Sequence, residues 1–276
     1  MVAFAKMIGD GAAMDHNEVG RYWDRNADTW TALVRQGYDV YRDHLNTPAF
    51  LAMLPEVRGL RGIDIGCDEG HNTGMLARRG AHMTAIDISE AFIRHAKDEE
   101  SRQPLGIAYQ NASAVALPFA GEQFDFATAF MALMDIPEQD KALAESRRVL
   151  RPSGFLQFSI IHPCFVPPHR RNIRDAQDNV VAVEIGRYFD SVDGEIERWT
   201  FNGAPKEVRS SVAPFEVPRF HRTLSQWVNM TIEAGFAIER MGEPRADDET
   251  ARRVPYVADT QVAPIFLHVR ARKIDR

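Results

Sequence analysis

Between Gly62 and Ile161 the chain alternates short apolar runs with stretches of helical periodicity, and nothing else in the sequence limits the fold so strongly. Gly62-Ile63-Asp64-Ile65-Gly66-Cys67 reads as a buried strand entering a glycine turn, and Thr73 to Arg79 as the helix that follows. Met83 to Asp87, Gly106 to Gln110, Phe124 to Phe130 and Phe155 to Ile161 read as further strands. Helices are expected from Glu90 to Glu100, capped by Ser89, and from Gln139 to Leu150, ended by Arg151-Pro152-Ser153-Gly154. Strands separated by helices at this pace form a parallel sheet covered on both faces. The expectation is an α/β, Rossmann-like fold.

The flanks complete this core. Residues 1–55 are expected to be a mobile tail followed by a helical lid. The lid has a helix from Val19 to Val34, with Asn17 as N-cap and Gly37 as its end, and a second from Thr47 to Leu54. Residues 56–164 form the α/β core. Residues 165–219, rich in proline, break the alternation and read as a β-rich insertion after the fifth strand. Val180–Asp190 and Glu195–Phe201 are expected to pair as a hairpin around Asp193-Gly194. Residues 220–276 then complete the core with a helix from Leu224 to Ala234 and strands from Ala237 to Met241 and Pro264 to Arg272.

The chemistry concentrates in Asp64-x-Gly66-x-x-x-Gly70, followed by Asp87 at the end of the second strand, 21 positions after Gly66. Glycine lets the backbone approach a ligand, and an acid at the end of the second strand can take two ribose hydroxyls. The same physics serves dinucleotide sites. Here, however, the third glycine of G-x-G-x-x-G is missing and the turn carries Asp64, Asp68 and Glu69. A pyrophosphate would be repelled. The ammonium and sulfonium of S-adenosylmethionine are cations and suit such a turn.

The stretch from Gly62 to Cys164 resembles the class I S-adenosylmethionine-dependent methyltransferases, in particular the type 11 small-molecule group. The resemblance is carried by Ile63 to Gly70, Ala85-Ile86-Asp87-Ile88-Ser89, Ala116-Leu117-Pro118-Phe119 with Phe124-Asp125, and Arg148 to Gly154. It implies a seven-stranded sheet with an antiparallel last strand, and S-adenosylhomocysteine as product. It also implies roles. Gly66, with Cys67 and Gly70, would shape the turn; Asp64 would help hold the amino group; Asp87 would bind the ribose diol and Ile88 pack on the adenine. Ser113 and Ala114 stand where the family has an acid and a small residue beside the adenine. Phe130 and Met131 would end the fourth strand beside the cofactor. A leading helix folds over the cofactor in similar enzymes, which makes Tyr22 a lid contact and Arg42 a partner for the cofactor carboxylate. Asp68, Ser113 and Ser153 depart from the family pattern.

His162, after the fifth strand, and His221 are the candidate bases for an acceptor that must lose a proton. The insertion's Tyr188, Phe189, Trp199, Phe201, Phe215 and Phe220 point to an apolar, planar small-molecule acceptor. A net charge of −6, with no basic stripe, speaks against nucleic acid. Cys67 and Cys164 form no C-x-x-C pair, and no His or acid cluster has metal spacing, so no metal is expected. No signal peptide or apolar span is visible, and the expected location is cytoplasmic. Two other readings remain: a non-catalytic relative that binds the cofactor, kept open by Asp68 and Ser113, and a nicotinamide-dependent oxidoreductase, opposed by the acidic turn.

Overall fold

Ile63 and Ile65 have no exposed surface because their strand lies at the middle of a sheet. The computed structural model describes residues 14–274. The core runs α1 (His16–Val34), α2 (Thr47–Met53), β1 (Arg61–Ile65), α3 (His71–Arg78), β2 (His82–Asp87), α4 (Glu90–Arg102), β3 (Ala108–Asn111), β4 (Phe124–Phe130), α5 (Gln139–Val149) and β5 (Leu150–Ile161). The insertion contributes β6 (His169–Arg174), β7 (Val180–Gly186), β8 (Val192–Trp199), α6 (Lys206–Ser211) and β9 (Phe215–His221). The chain closes with α7 (Leu224–Glu233), β10 (Phe236–Gly242), α8 (Asp248–Arg253) and β11 (Phe266–Lys273). Among the described residues no helix is long and apolar enough to cross a membrane.

The sheet has seven strands in the order β10-β11-β5-β4-β1-β2-β3. β5, β4, β1, β2 and β3 are parallel, and β11 runs antiparallel to both neighbours. The strand order reverses between β1 and β4. In open α/β sheets a ligand binds at such a switch point, outside the carboxyl ends of the strands.

Packing follows from the doubled burial. On one face Phe158 lies 6.0 Å from Trp227 of α7, and on the other Phe126 stacks on Phe155 at 5.5 Å. Most expected and observed element boundaries differ by a residue or two, but α1 begins three residues before Val19, and β5 begins at Leu150, five residues before Phe155, so that Arg151-Pro152-Ser153-Gly154, expected as a turn, lies within the strand. The first helix is capped by Asp15, whose Oδ1 accepts from the Glu18 N–H (2.8 Å), rather than by Asn17. The expected mobile tail lies almost wholly outside the described residues.

The insertion pairs differently from the expected hairpin. β7 turns back on β6, and β8 pairs with β9 across α6. Asp175 makes the first turn, its Oδ1 accepting from the Gln177 and Asn179 N–H groups. Gly194, at φ +97°, sits inside β8, where the register shifts between Asp193 and Glu195. A glycine inside a strand marks a bulge as readily as a turn. β9 also carries the insertion to His221, two residues past the expected boundary.

One aromatic cluster roofs the site. Trp30 of α1 lies 5.5, 4.8 and 5.0 Å from Trp199, Phe201 and Phe215. Asn26 strengthens the joint by donating to Glu216 O (2.9 Å) and accepting from its N–H (3.3 Å).

Phe158 has no exposed surface and no room to relax. Phe158→Ala should lower the unfolding free energy by about 3–5 kcal/mol, read from the urea midpoint.

Candidate active site

After Ile65 the chain must turn within a few residues to begin α3. Gly66 makes this possible at φ +73°, and a Cβ there would lie 2.4 Å from the Ala132 Cβ. The backbone of the turn thus runs against Ala132, the second residue after β4. Asp68 adopts φ 49°, a left-handed conformation that Asp tolerates better than most residues. Its N–H donates to Asp87 Oδ2 (3.0 Å), so this departure from glycine is absorbed by a bond across the switch point. The Ser89 N–H donates to Asp87 Oδ1 (2.9 Å), while the Ser89 hydroxyl caps α4 by accepting from the Phe92 N–H (3.1 Å). Each carboxylate oxygen of Asp87 therefore has one backbone donor and keeps a lone pair for another.

The turn concentrates negative charge. Burial pushes Asp87 up to about 6, against the Ser89 and Asp68 N–H groups that hold it down. Asp39 is pushed up to about 6, burial outweighing the adjacent Arg42. Asp68 is raised by burial and by the Asp87 and Glu69 charges. Arg42 answers these acids from above. Its Nη1 donates to Glu69 Oε1 (3.0 Å) and its Nε to Asp43 Oδ1 (2.8 Å).

A cleft of about 1890 Å³ opens over the carboxyl ends of β1, β2 and β4, walled by α1, the insertion and the segment before β11. Gly66, Asp87, Ile88, Ser113, Ala114, Phe130, Met131 and Arg42 all line it, and so does His221. Gly20 of α1 packs on Ile88, where an added Cβ would approach to 3.0 Å. Phe130 lies 3.9 Å from Phe50. Met131 takes φ 55°, held by its N–H donating to Ser159 O (3.0 Å) and Oγ (3.1 Å). Strained backbone of this kind gathers at ligand sites.

Five expected site residues lie off this cleft. His162 is 2% exposed, with Nε2 2.8 Å from Glu243 Oε1 and Nδ1 accepting from the Cys164 N–H (3.1 Å). Both ring nitrogens are occupied, so it ties down the loop after β5 and is not placed to act as a base. Tyr22 carries the Arg25 guanidinium over its ring at 4.2 Å, and its neighbours Val19 and Trp23 face the cleft instead. Gly70, at φ +88°, begins α3, and a Cβ there would lie 2.5 Å from the Tyr109 hydroxyl. Its role is close packing. Asp64 and Cys67 border only a small recess beneath the turn. Asp64 Oδ1 accepts from the Thr128 hydroxyl (2.7 Å) and Oδ2 from the Thr73 hydroxyl (2.5 Å), which joins β1 to β4 and α3. Burial raises the Cys67 thiol, helped by the surrounding acids, and keeps it a neutral packing group.

His221 does reach the cleft. Its Nε2 lies 2.8 Å from the Tyr188 carbonyl, so this nitrogen carries the proton and donates it. Burial lowers its affinity for a second proton. The imidazole is neutral, with the Nδ1 lone pair available. Asp39 and Asp135 also line the cleft and were not expected from sequence. Asp135 had a legible signal, being the first acid after the apolar run of β4. Asp39 had none, because only the fold brings the linker after α1 over the turn.

Residues 63–158 match the family model described as a methyltransferase domain. A crystal structure of an S-adenosylmethionine-dependent methyltransferase from Mesorhizobium loti superposes with a TM-score of 0.65 at 29% identity, over 82% of this chain and 96% of that one. Residues 63–158 thus form a methyltransferase domain. The chain is 28% identical over 155 residues to a ubiquinone biosynthesis O-methyltransferase of Coxiella burnetii, covering 55% of this chain and 64% of that protein. It is 30% identical over 167 residues to the O-methyltransferase cnsE of Penicillium expansum, covering 53% of this chain and 60% of that protein. The chain thus spans under two thirds of the length of these curated relatives.

The methyltransferase site fits the family's cofactor on its own geometry. Gly66, without a side chain, lets the turn close on Ala132 at the edge of the cleft, and Asp87 offers two oriented acceptors to a diol. The acids around the turn repel one another and await a cation. A cationic sulfonium and ammonium relieve this field, and a diphosphate would worsen it. Among the described residues no group of three or more His, Cys, Asp or Glu could hold a metal ion.

Asp87→Ala should weaken S-adenosylhomocysteine binding by at least about 100-fold, measured by calorimetry, because two bonds to a charged acceptor are lost. Asp64 supplies a test by pH. Burial raises it from 3.8 to about 6 despite its two hydroxyl donors. The folded chain therefore binds this proton more tightly than the unfolded chain. The stabilisation is full below pH 3.8 and is lost as the pH rises through about 6. Asp64→Asn should flatten that slope in urea unfolding curves recorded between about pH 4 and 7.

Proposed function

We propose that this chain transfers a methyl group from S-adenosylmethionine to an oxygen, nitrogen or carbon of a small, largely apolar, planar acceptor. The observation that carries this reading is the paired support of Asp87 by the Asp68 and Ser89 N–H groups beside the Gly66 cradle, at the switch point of the sheet. The two O-methyltransferases among the relatives favour oxygen as the atom methylated.

When bound, S-adenosylmethionine supplies an electrophilic methyl group on a sulfonium. The chain's part is to hold, orient and dry the site. Asp87 and Ile88 hold the nucleoside end, with Ser113 and Ala114 at the adenine edge. Gly66, Asp68 and Arg42 border the methionine end. α1 and the insertion meet at Trp30 and shut out water, so that acceptor and methyl group align for an in-line displacement. Alignment of this kind contributes roughly 7–11 kcal/mol in the best model systems. His221, neutral and with Nδ1 free, receives the acceptor's proton as the new bond forms.

Calorimetry with S-adenosylhomocysteine, with NAD as control, tests the cofactor. Specific binding of the former alone is expected, and binding of NAD alone overturns the reading. His221→Gln should leave that affinity unchanged and lower turnover by roughly 100- to 10000-fold. Undiminished turnover in the variant removes His221 from its role.

A further inference from the structure

Asp135 is a cleft carboxyl to which neither the glycine turn nor the proton step gives a role. It ends the 3-10 turn Leu133–Asp135, which begins after Met131 and Ala132 at the end of β4. Ala132, just before this turn, is the residue whose Cβ closes on Gly66. Three residues of 3-10 helix span about 6 Å. Asp135 therefore lies about one turn of backbone from the residue that packs on Gly66, and it lines the same cleft. Its N–H donates to Ala132 O (3.0 Å), which fixes the turn.

The side chain is half-buried and lines the cleft beside Met134, Ile136 and Pro137. Among the described residues nothing donates a hydrogen bond to its oxygens. Enclosure raises its pKa, the Glu197 carboxylate adds to this, and Arg219 only partly opposes it. Arg219 is committed elsewhere, to the Glu197 carboxylate and to Val166 O (2.7 Å). A half-buried carboxyl with no protein donor is open to a ligand that provides one. A carboxylate-bearing ligand cannot, and it would meet the Glu197 charge, joined by that of Asp135 once the pH lies above its raised pKa.

We propose that Asp135 selects the acceptor, accepting a hydrogen bond from an O–H or N–H on that molecule and rejecting a carboxylate at the same place. This rests on the methyltransferase reading and names its substrate class: a small planar molecule bearing a hydroxyl or amino donor. Asp135 is thus a specificity-determining residue on the cleft wall.

The test uses the full chain saturated with S-adenosylhomocysteine and three planar probes of matched size: 2-naphthol, 2-naphthoate and 2-methylnaphthalene. Calorimetry should show 2-naphthol binding roughly tenfold or more tighter than either of the others. Asp135→Ala should remove that preference. Asp135→Asn, which keeps an acceptor oxygen but not the charge, should retain part of it and relieve the rejection of 2-naphthoate. Unchanged S-adenosylhomocysteine affinity and circular dichroism in both variants exclude a folding defect. Equal binding of the three probes, binding of none, or a preference that survives both substitutions overturns the proposal. Failure of the wild-type chain to bind S-adenosylhomocysteine would instead bring down the methyltransferase reading beneath it.

Discussion

The carboxylate of Asp87 ties together the two turns on which the site is built. One oxygen accepts from the turn after β1 and the other from the N–H of the cap of α4. Without this carboxylate the left-handed residue Asp68 would have no bond to offset its backbone conformation. The cap of α4 depends on the same place, because Ser89 also donates to Asp24 Oδ1 of α1 (2.6 Å). The sheet, the turn and the roof helix are thereby linked through two adjacent short bond sets. Binding geometry and fold geometry cannot be separated here.

That arrangement gathers acids where burial opposes their charge. Asp39, Asp64 and Asp87 are all pushed up to about 6, and Asp68 is raised with them. A fold that only needed stability would place apolar groups at these positions. Arg42 offsets part of the repulsion through Glu69 and Asp43, but the hydroxyls of Thr73 and Thr128 are all that support Asp64. The same argument applies further along the cleft, where Asp135 waits for a donor rather than a charge.

The order of strands and helices was legible because each apolar run is short and each helix is amphipathic, so period alone separates them. Asp87 was legible because the second strand ends in an acid at the right distance from Gly66. The insertion was not. Its strands are half-exposed, with weak alternation, and Asp193-Gly194 fits a hairpin turn and a strand bulge equally well. Partner choice there depends on the aromatic contacts of Trp199 and Phe215 with Trp30, more than 150 residues earlier in the chain. His162 and His221 show the same limit at single residues. Both follow strands, but one ring is caught between Glu243 and the Cys164 N–H while the other keeps a nitrogen free.

The sequence by itself determined the layered α/β sheet, the acidic glycine turn and the class of cofactor. These follow from local periodicity and from residues within one βαβ unit, whose spacing sets their geometry. Only the tertiary structure decided which residues share the cleft. Asp39 with Arg42, Asp135 and His221 come from three separate segments. They meet because β1 and β4 are neighbours at the switch point, and because α1 and the insertion bury their aromatic faces against each other. Such meetings depend on long-range packing, to which no local pattern is sensitive.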